Sequence, residues 1–195
     1  MSLENASLPL SLWNTTAQIS LQADSVSFQD QTAVEPRLNA QFKPGAIQLQ
    51  ELSLDWQQGT IQLSGMFEPK HWTINNATVS GLKWAIQPDD KTDWWQITTE
   101  TLQKVNVKQL EIERSQVIQL SKQPYWQLSG LNLEGNQLEI KHSNDNWGIW
   151  NGKLDASVVN ASYDQVITSH AAISTRSDNG LWQLTRLFAP LEQGY

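Results

Sequence analysis

The sequence predicts a mainly β protein: an elongated, twisted antiparallel β-meander, or curved sheet, built from repeated hairpins. Short runs of alternating apolar and polar residues, such as residues 52–56, recur along the chain. This period of two directs apolar side chains to one face of a strand and polar side chains to the other. Gly, Asn, Asp and Pro residues separate many of the runs, which is typical of strands that fold back on each other. We therefore expect a sheet with one apolar and one hydrated face.

Breaks in the alternating pattern predict irregular points in the first half of the chain. The three-residue step from Leu49 to Leu52 predicts a bulge near Gln50 and Glu51. Gly65 marks a second irregular point. The predicted strand regions of this half are residues 17–28, 38–42, 47–56, 61–67, 72–79 and 82–86.

The second half resumes the alternation after a polar loop at residues 88–93. Turns are predicted at residues 113–115 and at Gly135 with Asn136, because an alternating run follows each of them. The whole chain, residues 1–195, is predicted to be a single domain. It divides into two degenerate repeats, residues 17–87 and 105–176, joined by the loop.

One or two short helices are predicted besides the strands. Leu181, Leu184 and Leu187 recur at helical spacing after polar residues that could cap a helix, which predicts a C-terminal helix at about residues 180–190. A second helix at about residues 98–104 is an open alternative, since the local pattern there is ambiguous.

Composition and motifs exclude several functional classes. The chain has a net charge of −7 and no cluster of Lys and Arg, so we expect no nucleic-acid partner. It has no cysteine, and its three histidines lie far apart, so no metal site is predicted. No nucleotide-binding or catalytic motif is present, and no pair of carboxylates stands out. We therefore expect a protein without cofactors that is not an enzyme.

Tryptophan is unusually frequent, with ten residues in the chain. Trp56, Trp72, Trp84 and Trp126 alternate in phase with aliphatic neighbours and are assigned to the apolar face. Four others are candidates for exposure. If their rings lay exposed and coplanar, they would instead indicate a carbohydrate-binding β-sandwich. These four are Trp94, Trp95, Trp147 and Trp150.

Four segments of the chain resemble the AsmA family of bacterial envelope proteins. They are residues 105–118, residues 128–135, the hairpin at residues 52–65 and the closing segment at residues 187–195. The resemblance extends from about Ile19 onward. It implies an internal fragment of a periplasmic protein that is tethered to the inner membrane through segments outside this chain. It also implies a role in outer-membrane biogenesis and a likeness to lipid transporters whose β-sheets curve into a groove.

The function expected from this resemblance is binding or conveying phospholipid, or another envelope lipid, along an apolar groove. Outer-membrane assembly proteins are further candidate partners. The carbohydrate-binding module and a structural or chaperone-docking module are the alternatives. The sequence is compatible with an exposed apolar face and with a covered one. The residues predicted to line the groove are Leu54, Trp56, Leu63, Trp84, Leu110, Ile112, Leu131 and Leu133.

Overall fold

A computed structural model describes residues 16–28, 31–86, 102–143, 146–164 and 166–192. Strands contain 81% of these residues and helices none, which confirms the predicted mainly β class. None of these residues belongs to a helix long and apolar enough to cross a bilayer. The strands are β1 Ala17–Gln22, β2 Ser25–Phe28, β3 Gln31–Lys43, β4 Ala46–Trp56, β5 Gly59–Phe67, β6 His71–Ser80, β7 Lys83–Ile86, β8 Lys104–Gln119, β9 Trp126–Ser143, β10 Asn146–Ser157, β11 Asn160–Tyr163, β12 Val166–Ser169, β13 Ala172–Asp178, β14 Leu181–Phe188 and β15 Leu191–Glu192.

The described strands form one open sheet in the order β1-β3-β4-β5-β6-β8-β9-β10-β13-β14. The shorter strands extend it: β2 pairs with β3, β7 with β8, β11 with β9 and β12, and β15 with β12. Most neighbours are antiparallel, as the meander predicts. The exceptions are β6 and β7, which both pair with β8 in the parallel direction. The sheet is therefore mixed.

The parallel pairing follows from the connection between β7 and β8, which returns the chain to the start of β6 before β8 begins. Most of this connection, residues 87–101, lies outside the described residues. The predicted loop at residues 88–93 and most of the alternative helix at residues 98–104 therefore lie there as well. The described end of the predicted helical segment includes Lys104, which is the first residue of strand β8. The division into two repeats stays a prediction.

The predicted C-terminal helix at residues 180–190 is wrong, because this segment is strand β14. Asn179 and Gly180 have φ angles of 51° and 79° and form a tight turn between β13 and β14. Such an Asn-Gly pair is a strong hairpin signal. A register irregularity opposite Ser174 and Thr175 inserts an extra residue into β14. The extra residue, Thr185, places Leu184 and Leu187 on one face at a three-residue spacing that resembles a helical period, whereas Leu181 lies on the opposite face.

The predicted turns at residues 113–115 and at Gly135 with Asn136 are also wrong, because β8 and β9 run straight through them. Between Ile112 and Ser115 the two strands change register instead of reversing direction. A bulge shifts the alternating pattern by one residue, and so resembles a new strand in the sequence. The predicted bulge at Gln50 and Glu51 is confirmed by the register shift between Leu49 and Leu52.

Irregular points in neighbouring strands line up into an upper bulge row, at the level of Gly81, Arg114, Gly130 and His170. All four have positive φ angles, between 46° and 70°. Hydrogen bonds connect the row across strands: the Gly81 amide donates to the Glu113 carbonyl at 2.8 Å, and the His170 amide donates to the Val159 carbonyl at 2.8 Å. Because bulges bend and twist strands, a row of them curves the sheet.

A lower bulge row crosses the sheet nearer the opposite ends of the strands. It includes the register shifts at Gly65 in β5 and at Gly152 in β10, where φ is 127°. The Ser177 hydroxyl donates to two carbonyls of the β10 bulge, those of Ile149 at 2.9 Å and Trp150 at 3.0 Å. Ser115, in the upper row, donates to the Glu113 carbonyl at 3.1 Å. Ser115 and Ser177 are the buried polar residues of the described chain, so both satisfy irregular backbone.

Few side chains are fully buried, as expected for a single layer of strands. A small core cluster consists of Ala40, Phe42 and Leu49, near the β1 side of the sheet. Leu102, Val107 and Leu138 are the other buried apolar residues of the described chain. Most apolar side chains are therefore only half-buried.

Candidate functional site

One face of the sheet is continuously apolar. Residues paired directly across neighbouring strands project to the same face, so the register traces that face from strand to strand. One line crosses eight strands from β4 to β14: Leu54, Ile61, Val79, Ile112, Leu133, Ala156, Ile173 and Leu187.

A second line runs beside the first and crosses ten strands from β1 to β14. We call the surface formed by these two lines, and by the side chains above and below them on the same side, the apolar face. The second line consists of Leu21, Leu38, Leu52, Leu63, Ala77, Leu110, Gly135, Leu154, Thr175 and Leu184.

All eight residues predicted to line a groove lie on the apolar face. The first line contains Leu54, Ile112 and Leu133. The second line contains Leu63 and Leu110. The other three lie above the lines, towards the upper end of the strands: Leu131 pairs with Ser115, Trp84 with Val117, and Trp56 with Gly59. The structure thus brings these residues onto one surface, and their contact with lipid stays a prediction.

The apolar face is not covered by a second layer of the described residues, since all the described strands belong to one sheet. Trp84 is 39% exposed, and Leu184 and Leu187 on the terminal strand β14 are 58% and 64% exposed. Soluble monomers rarely expose a contiguous apolar patch of more than a few hundred Å². A face that spans ten strands therefore indicates a binding surface.

Two rows of aromatic side chains border the apolar face. The lower aromatic row, at the edge with the β3–β4 and β5–β6 turns, contains two pairs formed across neighbouring strands. Phe67 and Trp72 meet edge to face with ring centroids 5.3 Å apart. His142 and Trp147 stack with centroids 5.1 Å apart. Each ring lies on the apolar face, because each continues the alternation of that face.

The upper aromatic row lies at the opposite strand ends and consists of Trp56, Trp84, Trp126 and Tyr163. The Trp126 and Tyr163 pair forms part of a shallow apolar depression of about 350 Å³, which Leu128 and Val166 also line. The Trp56 indole N–H donates to Gln31 Oε1 at 3.1 Å. Aromatic side chains with a polar tip suit a boundary between an apolar surface and water.

The opposite face is polar and carries an ion cluster near its lower edge. The Lys104 and Lys141 ammonium groups lie 2.7 Å and 3.2 Å from Glu139 Oε1. The Asn151 amide donates to Glu139 Oε2 at 2.6 Å. Hydrogen bonds from Lys104 and then Asn151, together with one from Lys141, lower the pKa of Glu139 to about 2 against partial burial. The carboxylate is therefore charged throughout the physiological range.

The tryptophans that would indicate carbohydrate binding have structural partners where they are described. Trp147 stacks on His142, and the Lys141 ammonium lies 4.8 Å from the ring centroid of Trp150. Trp94 and Trp95 lie outside the described residues. Within the described ranges, no group of three His, Asp or Glu residues could hold a metal ion.

Several residues of the apolar face were missed by the sequence reasoning, among them Ile61, Val79, Ala156 and Ile173. Ile61 shares the unbroken alternation of Leu63 on β5, whereas the signal that could have found Val79 is the change of phase in the alternating pattern. On β6, Trp72 and Ile74 precede the lower bulge row, whereas Val79 follows it with shifted parity. Treating that shift as a bulge instead of a turn assigns both sets to one face.

Comparison with known proteins agrees with this architecture. The model of the AsmA family matches residues 1–195, the whole chain. The chain belongs to the AsmA family. It is also 21% identical over 197 residues to the AsmA family protein YicH of Escherichia coli strain K12. No solved structure matches the chain.

The match to YicH includes all of this chain but only 34% of YicH, so the chain spans about a third of that relative's length. At the level of the family, membership supports a role related to the bacterial envelope and to outer-membrane biogenesis.

Proposed function

We propose that this AsmA-family chain is a periplasmic, non-enzymatic domain that holds or conveys phospholipid, or another envelope lipid, along its apolar face. The apolar face, which spans ten strands and is not covered by other described residues, is the observation that carries the proposal. In the whole protein, we expect contact with the inner membrane to come from segments outside these residues. Outer-membrane assembly proteins are candidate partners in the same process.

The chemistry of the face supports an acyl chain as its ligand. Leucine, isoleucine, valine and alanine dominate the centre of the face, and they offer no fixed hydrogen-bond donors or acceptors to a polar ligand. Each CH₂ group moved from water onto such a surface gains up to about 0.8 kcal/mol. A chain of many CH₂ groups is therefore held without any single specific contact, which suits both binding and movement along the face.

The dimensions of the face also suit acyl chains. At about 3.3 Å per residue, β5 spans about 26 Å between Gly59 and Phe67. An acyl chain in one leaflet spans roughly half of a hydrocarbon core of about 30 Å. The band between the two aromatic rows is thus wide enough for a complete chain lying along the strands.

Two matched substitutions on β7 test the proposal. Trp84→Asp places a charge on the apolar face at an exposed position, and Ala85→Asp places the same charge on the opposite face one residue later. We expect Trp84→Asp to weaken lipid binding by roughly 30-fold, the equivalent of about 2 kcal/mol of lost apolar contact. Ala85→Asp should bind lipid like the unmodified chain.

The measurement is native mass spectrometry of the protein purified from bacterial membranes, followed by lipid extraction and incubation with phospholipid vesicles. Leu133→Asp, at the centre of the face, extends the test, with circular dichroism to establish that each variant is folded. Co-purified phospholipid that is lost in both apolar-face variants supports the proposal. A folded, lipid-free protein before and after incubation would refute it.

A further inference from the structure

A cleft of about 360 Å³ lies on the polar face of the sheet, at the level of the lower bulge row. Cross-strand partners share a face, and Thr73 stands between Trp72 and Ile74 of the apolar face, so Thr73 and its partners project to the opposite side. The polar-face cleft is therefore separate from the surface proposed to hold lipid. Its frame is one line of paired residues on β6, β8, β9 and β10: Thr73, Asn106, Glu139 and Asn151.

The lower bulge row adds further side chains to this cleft. Gln137 has a φ angle of 52° on β9, and its side chain joins the lining together with Lys104 and Lys108 of β8. Bulges re-aim side chains and are common beside active sites. The concave surface of the polar-face cleft thus follows from the same irregular backbone that curves the sheet.

Four polar side chains of the polar-face cleft are free to bind a ligand. The side chains of Thr73, Asn106, Lys108 and Gln137 make no hydrogen bond or ion pair with other described residues. Small-molecule sites are concave, occupy about 300–1,000 Å³ and contain a few convergent polar groups. The polar-face cleft lies at the lower end of this range and has such groups on three strands.

The charges at the polar-face cleft are unequal. The ammonium groups of Lys104 and Lys141 share the single carboxylate of Glu139, at 2.7 Å and 3.2 Å. Lys108 is exposed and adds a third ammonium without an acidic partner among the described residues. Asp178, on the strand beyond Asn151, does not line the cleft and accepts a hydrogen bond from Asn179. Three acids that are paired across strands lie further up the polar face: Glu111, Glu134 and Asp155.

We propose that the polar-face cleft binds a sugar phosphate, with the phosphate beside Lys104 and Lys108 and the sugar hydroxyls at Thr73, Asn106 and Gln137. A phosphate group carries roughly one and a half to two negative charges near pH 7, which matches the ammonium groups in excess over Glu139. Hydroxyl and amide side chains both donate and accept hydrogen bonds, as sugar hydroxyls require. This site lies on the face opposite the proposed lipid surface and does not depend on that function.

Titration of the 195-residue chain with glucose 6-phosphate tests the proposal, with glucose and inorganic phosphate as partial probes. Isothermal titration calorimetry at low salt gives the affinities, and the side-chain amide signals of Asn106 and Gln137 in heteronuclear NMR spectra locate the ligand. We expect glucose 6-phosphate to bind about tenfold more tightly than either partial probe, because each probe makes only some of the contacts. Binding should weaken as the salt concentration rises towards about 1 M.

Matched substitutions of single lysines locate the phosphate. Lys108→Gln removes the unpaired ammonium from the cleft, and Lys83→Gln removes an exposed ammonium from the same face at the upper ends of the strands. Neither side chain has a partner among the described residues, so both variants should keep the melting temperature of the unmodified chain. We expect Lys108→Gln to bind glucose 6-phosphate about tenfold more weakly, and Lys83→Gln to bind it normally.

The pattern of affinities decides the proposal. Saturable binding that shifts the Asn106 and Gln137 signals and weakens in Lys108→Gln supports it. Absence of saturable binding, or full affinity in Lys108→Gln, overturns it. Inorganic phosphate bound as tightly as glucose 6-phosphate also overturns it, since the sugar hydroxyls would then contribute nothing. The lipid measurement on the apolar face is independent of all these results.

Discussion

The ion cluster around Glu139 permits a quantitative prediction of stability. Glu139→Gln keeps the size of the side chain and its ability to accept a hydrogen bond from Asn151, but removes the charge shared by Lys104 and Lys141. The two ammonium groups then lie close together without a counter-charge. We expect the folded state to be destabilised at neutral pH.

The magnitude follows from the pKa of Glu139, which is lowered from 4.5 to about 2. At about 1.4 kcal/mol per pKa unit, this shift sets an upper limit of roughly 3 kcal/mol. The Glu139 side chain is 19% exposed, but those of Lys104 and Lys141 are 33% and 37% exposed, so water screens the pairs. We therefore expect a loss of about 1–2 kcal/mol in the free energy of unfolding at pH 7.

The loss should depend on pH in a defined direction. Because the pKa of Glu139 is lower in the folded state than in the unfolded state, ionisation of Glu139 stabilises the fold. This contribution is complete above the unfolded value of 4.5 and disappears as the pH falls towards 2. The unmodified chain and Glu139→Gln should therefore differ most at neutral pH and converge in acid.

Urea unfolding followed by tryptophan fluorescence between about pH 7 and pH 3 measures this difference. Glu134→Gln is the matched control, since Glu134 also lies on the polar face of β9 but is paired across the strands with Glu111. Removing one of two like charges should leave stability unchanged or raise it by up to about 0.5 kcal/mol. A pH-independent loss in Glu139→Gln, or an equal loss in Glu134→Gln, would contradict the reasoning.

Two further predictions concern the bulges and the sheet edge. Gly152→Ala should lower the free energy of unfolding by about 2–3 kcal/mol, because φ is 127° there and a Cβ would lie 2.8 Å from the Gln137 carbonyl. Gly148→Ala, where a Cβ meets nothing within 4 Å, is the control and should change it by less than about 0.5 kcal/mol in the same urea titration. We expect the exposed edge strand β14 to pair with a second copy of the chain at high concentration, and Leu187→Lys to reduce this self-association in analytical ultracentrifugation without lowering the melting temperature. Unchanged association would show that this edge does not mediate it.

The sequence predicted the side of the sheet on which each groove residue lies, because alternation within a strand is a local property of the backbone. Leu110 and Ile112 are two residues apart, and so are Leu131 and Leu133; each pair shares a face in any extended strand. The bulge near Gln50 was predictable for the same reason, since an extra residue between Leu49 and Leu52 changes the parity of the pattern.

The same local reasoning failed where two different local structures produce the same sequence pattern. At residues 113–115, a bulge and a turn both interrupt the alternation, and only the pairing of β8 with β9 over its full length distinguishes them. In β14, a bulged strand and a helix both place Leu184 and Leu187 on one face at a three-residue spacing. Asn179 and Gly180 favoured the hairpin, but the neighbouring strand β13 decided it by offering a continuous line of hydrogen-bond partners.

By itself, the sequence determined that the chain forms β-strands with one apolar side, because strand formation and alternation depend on neighbouring residues. Only the tertiary structure decided that these strands form one layer whose apolar face no other described residues cover, and that the bulges align in rows. These features depend on the register between strands that are distant in sequence. Register is set by the summed pairing of whole strands, and no short stretch of residues contains it.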